Sequence, residues 1–203
     1  MNNNVVIIDY KVGNTTSVAK ALDKLGFKSK LSHKKSDINK ASHIILPGVG
    51  AFGDGMRNLN KLEMPELLLK KVRSGTPFLG ICLGMQLLAE KSYEFGEHDG
   101  LGWIKGEVVK IKATRLPHVG WNDIKVKNKQ SLLFKNIPDN NFYFVHSYTL
   151  KPLSKPLVSA TCEYGQNLVA AIEKNNIFGV QFHPEKSQTA GLKVLENFLN
   201  YHA

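Results

Sequence analysis

The chain has 203 residues, 42% of them hydrophobic and 9% aromatic, so it is long and apolar enough to bury a substantial core and too rich in large side chains to stay disordered. Its formal charge of +10 and pI near 9.5 raise the question of nucleic acid. The lysines, among them Lys28, Lys34, Lys70, Lys105 and Lys125, are scattered without interleaved stacking aromatics or an RNA or DNA module, so a solvated surface suited to an acidic protein partner is expected and nucleic acid is not.

"NVVIIDY" (Asn4 to Tyr10) is a β-branched run that stops at a Gly-Asn turn, and the next stretch, Thr15 to Phe27, has helical spacing through Val18, Leu22 and Leu25. Ala41 to Gly50 reads as a second buried strand that enters a glycine-rich loop. Met64 to Gly75 reads as a helix closed by Gly75, and Thr76 to Ile81 as a third strand feeding a helix that starts near Met85. Strands alternating with helices imply right-handed crossovers and a parallel sheet. From about Trp103 the pattern becomes strands and hairpins with short turns. The last stretch, Thr189 to Ala203, is a helix with Leu192, Leu195, Phe198 and Leu199 on one face. There is no internal repeat, low-complexity tract or linker, so residues 1–203 are expected to form one domain.

Only two cysteines, Cys82 and Cys162, are present, which is no disulfide framework. The N-terminus shows neither a basic leader nor a long apolar span, so a reducing cytoplasm is expected and a membrane is not.

"GVGAFG" (Gly48 to Gly53) matches G-x-G-x-x-G after a strand. Dinucleotide binding also needs an acidic residue about 20 residues on, where this chain reads "KKVRSG". The loop is then either a tight strand-to-helix turn or a source of backbone amides for a developing negative charge.

Gly80-Ile81-Cys82-Leu83-Gly84 has the form G-x-C-x-G, the thiol version of a nucleophile elbow, and a helix beginning after Cys82 aims amides at the sulfur. A small buried cysteine is the alternative, and it is the reading for Cys162 in "VSATCEY". A thiolate needs a proton acceptor and donor. His33, His43, His98 and His202 read as surface or loop residues, whereas His118, His146 and His183 sit beside aromatic or glycine-rich stretches. His183 stands out, because Pro184 favours an extended backbone there and Glu185, two residues on, returns to the same face of a strand.

Taken together, "IDYKVGN" (from Ile8), "LPGVGAFGDGM" (from Leu46), "FLGICLGMQLL" (from Phe78), "LPHVGWN" (from Leu116), "FYFVHSY" (from Phe142) and "GVQFHPEKS" (from Gly179) resemble the class I (triad) glutamine amidotransferases. The resemblance is closest to the glutaminase subunits of imidazole glycerol phosphate synthases in histidine biosynthesis, and the motifs run in family order across nearly the whole chain. It implies a flavodoxin-like three-layer α/β fold with a mixed central sheet flanked by helices. It also implies hydrolysis of glutamine to glutamate and ammonia without metal or cofactor, and a heterodimer with a cyclase-subunit (β/α)8 barrel that receives the ammonia. By position it implies Cys82 as nucleophile, His183 as acid and base, and Glu185 as the orienting carboxylate. Oxyanion amides would come from Leu83 and Val49, the latter in a strand that rearranges before it donates. Gly50, Gln86, Glu94, Ser147 and Tyr148 would hold glutamine, and Asn14, Trp121, Asn122 and Lys186 would face the barrel. Two departures stand out. Lys11 occupies a position usually held by glycine, and Tyr93 to Val108 is similar to a paralogous branch that supplies ammonia for amidating sugars of surface polysaccharides. A non-catalytic binding relative and a cysteine protease are the other readings.

Overall fold

The computed structural model describes residues 4–202; Met1, Asn2, Asn3 and Ala203, which belong to the expected domain, lie outside the described residues. The first half alternates as the sequence suggests: β1 (Val5–Ile8), α1 (Thr15–Lys24), β2 (Ser29–Ser32), α2 (Lys35–Asn39), β3 (His43–Gly48), α3 (Phe52–Lys61), α4 (Met64–Arg73), β4 (Phe78–Cys82) and α5 (Leu83–Gln86). There follow β5 (Ala89–Ser92), β6 (His98–Asp99), β7 (Ile104–Lys110), β8 (His118–Val126), β9 (Asn141–His146), β10 (Tyr148–Pro152), β11 (Val158–Glu163), β12 (Asn167–Lys174) and β13 (Ile177–Val180), and α6 (Gln188–Leu199) closes the chain.

The main sheet has nine strands in the order β2-β1-β3-β4-β13-β12-β11-β8-β9. The pairs from β2 through β13 are parallel and those from β13 to β9 antiparallel, so the sheet is mixed. A four-stranded sheet, β10-β7-β5-β6, lies apart from it in hydrogen bonding.

Strand β1 shows why the sheet is an inner layer. Val5 and Ile7 enter one apolar core with Val18 and Leu22 of α1 and Val194, Leu195 and Phe198 of α6. Val6 and Ile8 enter a second core with Leu59 of α3 and Leu68 of α4. Successive side chains point to opposite faces, so an all-apolar strand is stable only when helices cover both of them. The result is the expected mixed sheet flanked by helices.

Five elements went unread in the sequence: β2 and α2, which are short and lysine-rich, α3, whose glycines mask its apolar face of Phe52, Met56 and Leu59, and the short strands β5 and β6 that follow the elbow. The helix expected from Met85 begins at Leu83 and lasts a single turn, because the chain leaves it for β5 at Ala89. The help that a long helix dipole would give Cys82 is correspondingly reduced to the first-turn amides.

Candidate active site

Parallel α/β sheets hold ligands beyond the carboxyl ends of their strands, and here β3 and β4 end side by side with Gly48 paired to Cys82. Cys82 adopts φ 54°, ψ −109°, a conformation that side-chain-bearing residues avoid. The glycines allow this turn. A Cβ at Gly84 would overlap the Leu46 carbonyl oxygen of β3, and one at Gly80 would lie 2.5 Å from the Gly84 carbonyl oxygen. Cys82 is thus held on a strained turn as the elbow reading expects, but buried at 6% exposure, with its thiol 3.8 Å from the Val145 carbonyl oxygen.

A cavity of about 210 Å³ opens over the sulfur, below the usual size of a dinucleotide or drug-sized site. It is lined by Val49, Gly50, Cys82, Leu83, Gln86, Glu94, Val145, His146, Ser147 and Tyr148. Every residue that the sequence assigned to the oxyanion or to glutamine is therefore in one place. The glycine loop is a strand-to-helix turn, with Gly50 at φ 98° and α3 beginning at Phe52, and it forms one wall of that cavity. Glu94 Oε2 accepts the Phe52 amide at 2.7 Å and so ties the far wall to the end of this loop.

His183 and Glu185 do not line the cavity. Their side chains are 2% and 1% exposed, and Nδ1 of His183 lies 2.9 Å from Oε1 of Glu185. The pairing is made differently from the same-face strand arrangement read in the sequence. His183 is extended as expected (φ −98°, ψ 95°), but Pro184–Lys186 is a single 3-10 turn, and this turn swings the carboxylate back onto the ring. Nε2 of His183 has no hydrogen-bond partner among the described residues. Burial alone would push the His183 pKa down; the neighbouring Cys82 sulfur and the Glu185 carboxylate outweigh it and lift it to about 9. The arrangement therefore favours a protonated His183 beside the Cys82 sulfur.

Of the residues assigned to a partner surface, Trp121 is 47% exposed, and its ring meets Tyr143 of β9 edge-on at 6.1 Å. Lys186 lies 5.5 Å over the same Tyr143 ring. These three form one outward patch next to the His183 turn. Asn14 sits partly buried just before α1, and Gly13 packs against the Pro47 carbonyl of the glycine loop. Asn122 instead turns inward, donating to the Glu163 carbonyl at 2.9 Å and to His118 Nε2 at 3.1 Å. Lys11 is exposed at φ 63°, the left-handed region that glycine enters without cost, which explains why glycine suits this position.

Sequence reasoning missed two neighbours of the sulfur. Gln181, fully buried, donates from Nε2 to Cys82 Sγ at 3.6 Å; a polar residue two positions before His183 in an otherwise apolar strand was the available signal. Tyr10 is also fully buried, its hydroxyl abuts Gly48, and burial followed by the nearby Cys82 raises its pKa. His43, read as a surface residue, is 1% exposed: Nε2 meets the Tyr201 carbonyl at 2.9 Å and the ring packs edge-on against Phe198. Cys162 is core as expected, with burial pushing its thiol up to about 12.

The family model for class-I glutamine amidotransferases matches residues 6–201. The chain belongs to that family. Among curated amidotransferase relatives, the imidazole glycerol phosphate synthase subunit HisH of Aquifex aeolicus is 47% identical, over 95% of this chain and 94% of the relative. The subunit HisH 1 of Campylobacter jejuni (strain RM1221) is 46% identical, over 96% and 98%. Two solved structures share the amidotransferase fold: a glutamine amidotransferase at TM-score 0.77 and 21% identity, covering 97% of each chain, and PurLQS of Thermotoga maritima at 0.77 and 22%, covering 99% of each. As a family member the chain is a glutamine amidotransferase, an enzyme with glutaminase activity. Among the described residues no helix is long and apolar enough to cross a membrane.

Proposed function

We propose that the chain is the glutaminase subunit of imidazole glycerol phosphate synthase. It hydrolyses L-glutamine and passes ammonia to a separate cyclase subunit, a (β/α)8 barrel in a heterodimer with it, which makes imidazole glycerol phosphate and AICAR in histidine biosynthesis. The whole chain acts as one amidotransferase domain. Two free cysteines fit a reducing cytoplasm. The observation that carries the reading is the single cavity that joins Cys82 to the oxyanion and substrate positions, with the His183–Glu185 pair buried beside it.

Glutamine enters with its side-chain amide over Cys82 and its charged end toward Glu94, whose carboxylate complements the α-ammonium, while Gln86, Gly50, Ser147 and Tyr148 wall the site. The thiolate attacks the amide carbon, and the oxygen that becomes negative faces the Leu83 amide and, once the Pro47–Gly50 segment turns, that of Val49. Protonated His183 gives its proton to the leaving nitrogen, the C–N bond breaks, and ammonia departs from a thioester. Acylation removes the charge on sulfur that had been raising the His183 pKa. The ring, having given its proton to ammonia, therefore stays neutral and available as the base: it takes a proton from water, and the hydroxide opens the thioester to release glutamate and return the thiolate. Asn14, Trp121 and Lys186 belong to the barrel-facing side, whereas the Asn122 side chain, turned inward onto His118, supports β8 from behind.

The test is glutamine hydrolysis by the native chain and by Cys82→Ala, each with the candidate cyclase and its nucleotide substrate. Stimulation of the native chain alone supports the reading. No stimulation by that substrate removes the histidine-pathway assignment in favour of the sugar-amidating branch, and equal activity in Cys82→Ala removes the mechanism.

A further inference from the structure

Five side chains around the cavity are joined by hydrogen bonds whose directions are fixed from both ends by backbone carbonyls, which can only accept. His146 Nδ1 lies 2.9 Å from the Tyr148 carbonyl oxygen, so this nitrogen carries the hydrogen. At the other end the Asn122 amide nitrogen donates to the Glu163 carbonyl, which sets the orientation of that amide, and its second hydrogen points at His118 Nε2. That nitrogen is therefore bare. Between the rings, His118 Nδ1 and His146 Nε2 are 2.9 Å apart, and both ends require the same assignment: His118 donates and His146 accepts. Protonating either ring would set two donors against each other, in this contact or at Asn122. Burial, the main cause at both rings, also holds their pKa values down to about 4, and the groups facing them are His183 beside His146 and the Tyr164 and Phe144 rings stacked on His118.

The same Tyr148 carbonyl orients a second branch. Gln86 Nε2 donates to it at 3.0 Å and spends its other hydrogen on Gln181 Oε1 at 2.9 Å. The Gln181 amide nitrogen is thereby turned to the Cys82 sulfur, and the Gln86 carbonyl oxygen is left for the cavity it lines.

We infer that His118, His146 and Gln181 are positioning residues for the glutaminase reaction, members of one buried chain of hydrogen bonds that runs from Asn122 on β8 through the Tyr148 carbonyl to Cys82 Sγ. The inference rests on the glutaminase reading for the identity of the substrate, while the chain itself is a property of the fold. The histidine branch keeps the Ser147–Tyr148 wall in place, and the glutamine branch keeps an N–H donor aimed at the sulfur.

Three readouts test it. In the native chain, nitrogen-15 NMR of the imidazoles should show both His118 and His146 neutral at pH 7 as Nδ1–H tautomers; an Nε2–H tautomer at either overturns the chain, whether or not the protein hydrolyses glutamine. His118→Phe keeps a ring between Phe144 and Tyr164 but removes the donor. It should shift the His146 nitrogen signals and raise KM for glutamine about tenfold with a smaller change in kcat, and unchanged His146 signals and KM overturn the positioning role. Gln181→Glu retains an acceptor for Gln86 but sets a carboxylate against the sulfur. Alkylation of Cys82 by iodoacetamide at pH 7 should slow about tenfold, and an unchanged rate overturns the Gln181 role. A native chain that fails to hydrolyse glutamine would sink the proposed function, and the NMR and alkylation readouts would still decide the chain.

Discussion

Replacing Glu185 by Gln preserves shape and removes one charge from a pair whose side chains are 2% and 1% exposed and whose N···O separation is 2.9 Å. At such burial there is little solvent to screen the loss. A hydrogen bond to a charged group contributes about 1.5–3 kcal/mol. At about 1.36 kcal/mol per pH unit, losing the carboxylate should lower the His183 pKa by about one to two pH units from its native value of about 9. Because protonated His183 must supply the proton for ammonia, kcat/KM for glutamine should fall as pH rises through that pKa. The alkaline limb should therefore sit near pH 9 in the native enzyme and near 7–8 in Glu185→Gln, so that the rate is about fivefold to fiftyfold lower at pH 9 but at most about twofold lower at pH 7, where the ring stays half or more protonated. The assay is glutamate release between pH 6 and 10, run in the complex with the cyclase. An alkaline limb that does not move would refute the assignment of Glu185 as the partner that keeps His183 charged.

The His118–His146 pair predicts acid lability. Both rings have folded pKa values near 4, below the ordinary 6.5, so the unfolded chain binds more protons between those values, and the stability present above pH 6.5 is lost as pH falls toward 4. Denaturant unfolding at pH 7 and 4.5 should differ by on the order of 2–3 kcal/mol from His146 with a smaller part from His118, and a flat profile would contradict the buried neutral pair. Gly84→Ala drives a methyl into the Leu46 carbonyl, which is backbone and cannot yield, so stability should fall by at least about 3 kcal/mol. Gly50→Ala meets no atom within 4 Å but must hold φ 98°, so it should cost about 1–2 kcal/mol and act mainly on turnover through the oxyanion loop. Lys186→Glu should weaken cyclase binding severalfold, most at low salt, as titration of the complex would report; unchanged affinity removes Lys186 from the interface.

The sequence was most informative where one local rule dominates. β1 and β3 are β-branched runs between turn signals, α1 and α6 carry clean helical spacing, and the elbow at Cys82 needs glycine on both sides for reasons confined to five residues. It was least informative where the deciding contact is distant in the chain. Gln181 gains its role from Gln86 and Cys82, 95 and 99 residues away, and His43 is buried because Tyr201, 158 residues on, supplies a carbonyl to its ring. α3 was hidden because its glycines, Gly55 packed closely against Leu83 and Leu87 and Gly53 against the His98 ring, weaken the helical pattern. The His183–Glu185 contact was foreseen with the wrong geometry, since a two-residue spacing fits a strand face and a 3-10 turn equally.

The central claim is that Cys82 is the nucleophile toward glutamine, and the chain contains its own control. Treating the enzyme with a chloroketone analogue of glutamine and mapping the adduct by peptide mass spectrometry should place one label on Cys82, blocked by excess glutamine, and none on Cys162, whose thiol burial holds up near 12. Label on Cys162, or label on Cys82 that glutamine does not prevent, would contradict the account.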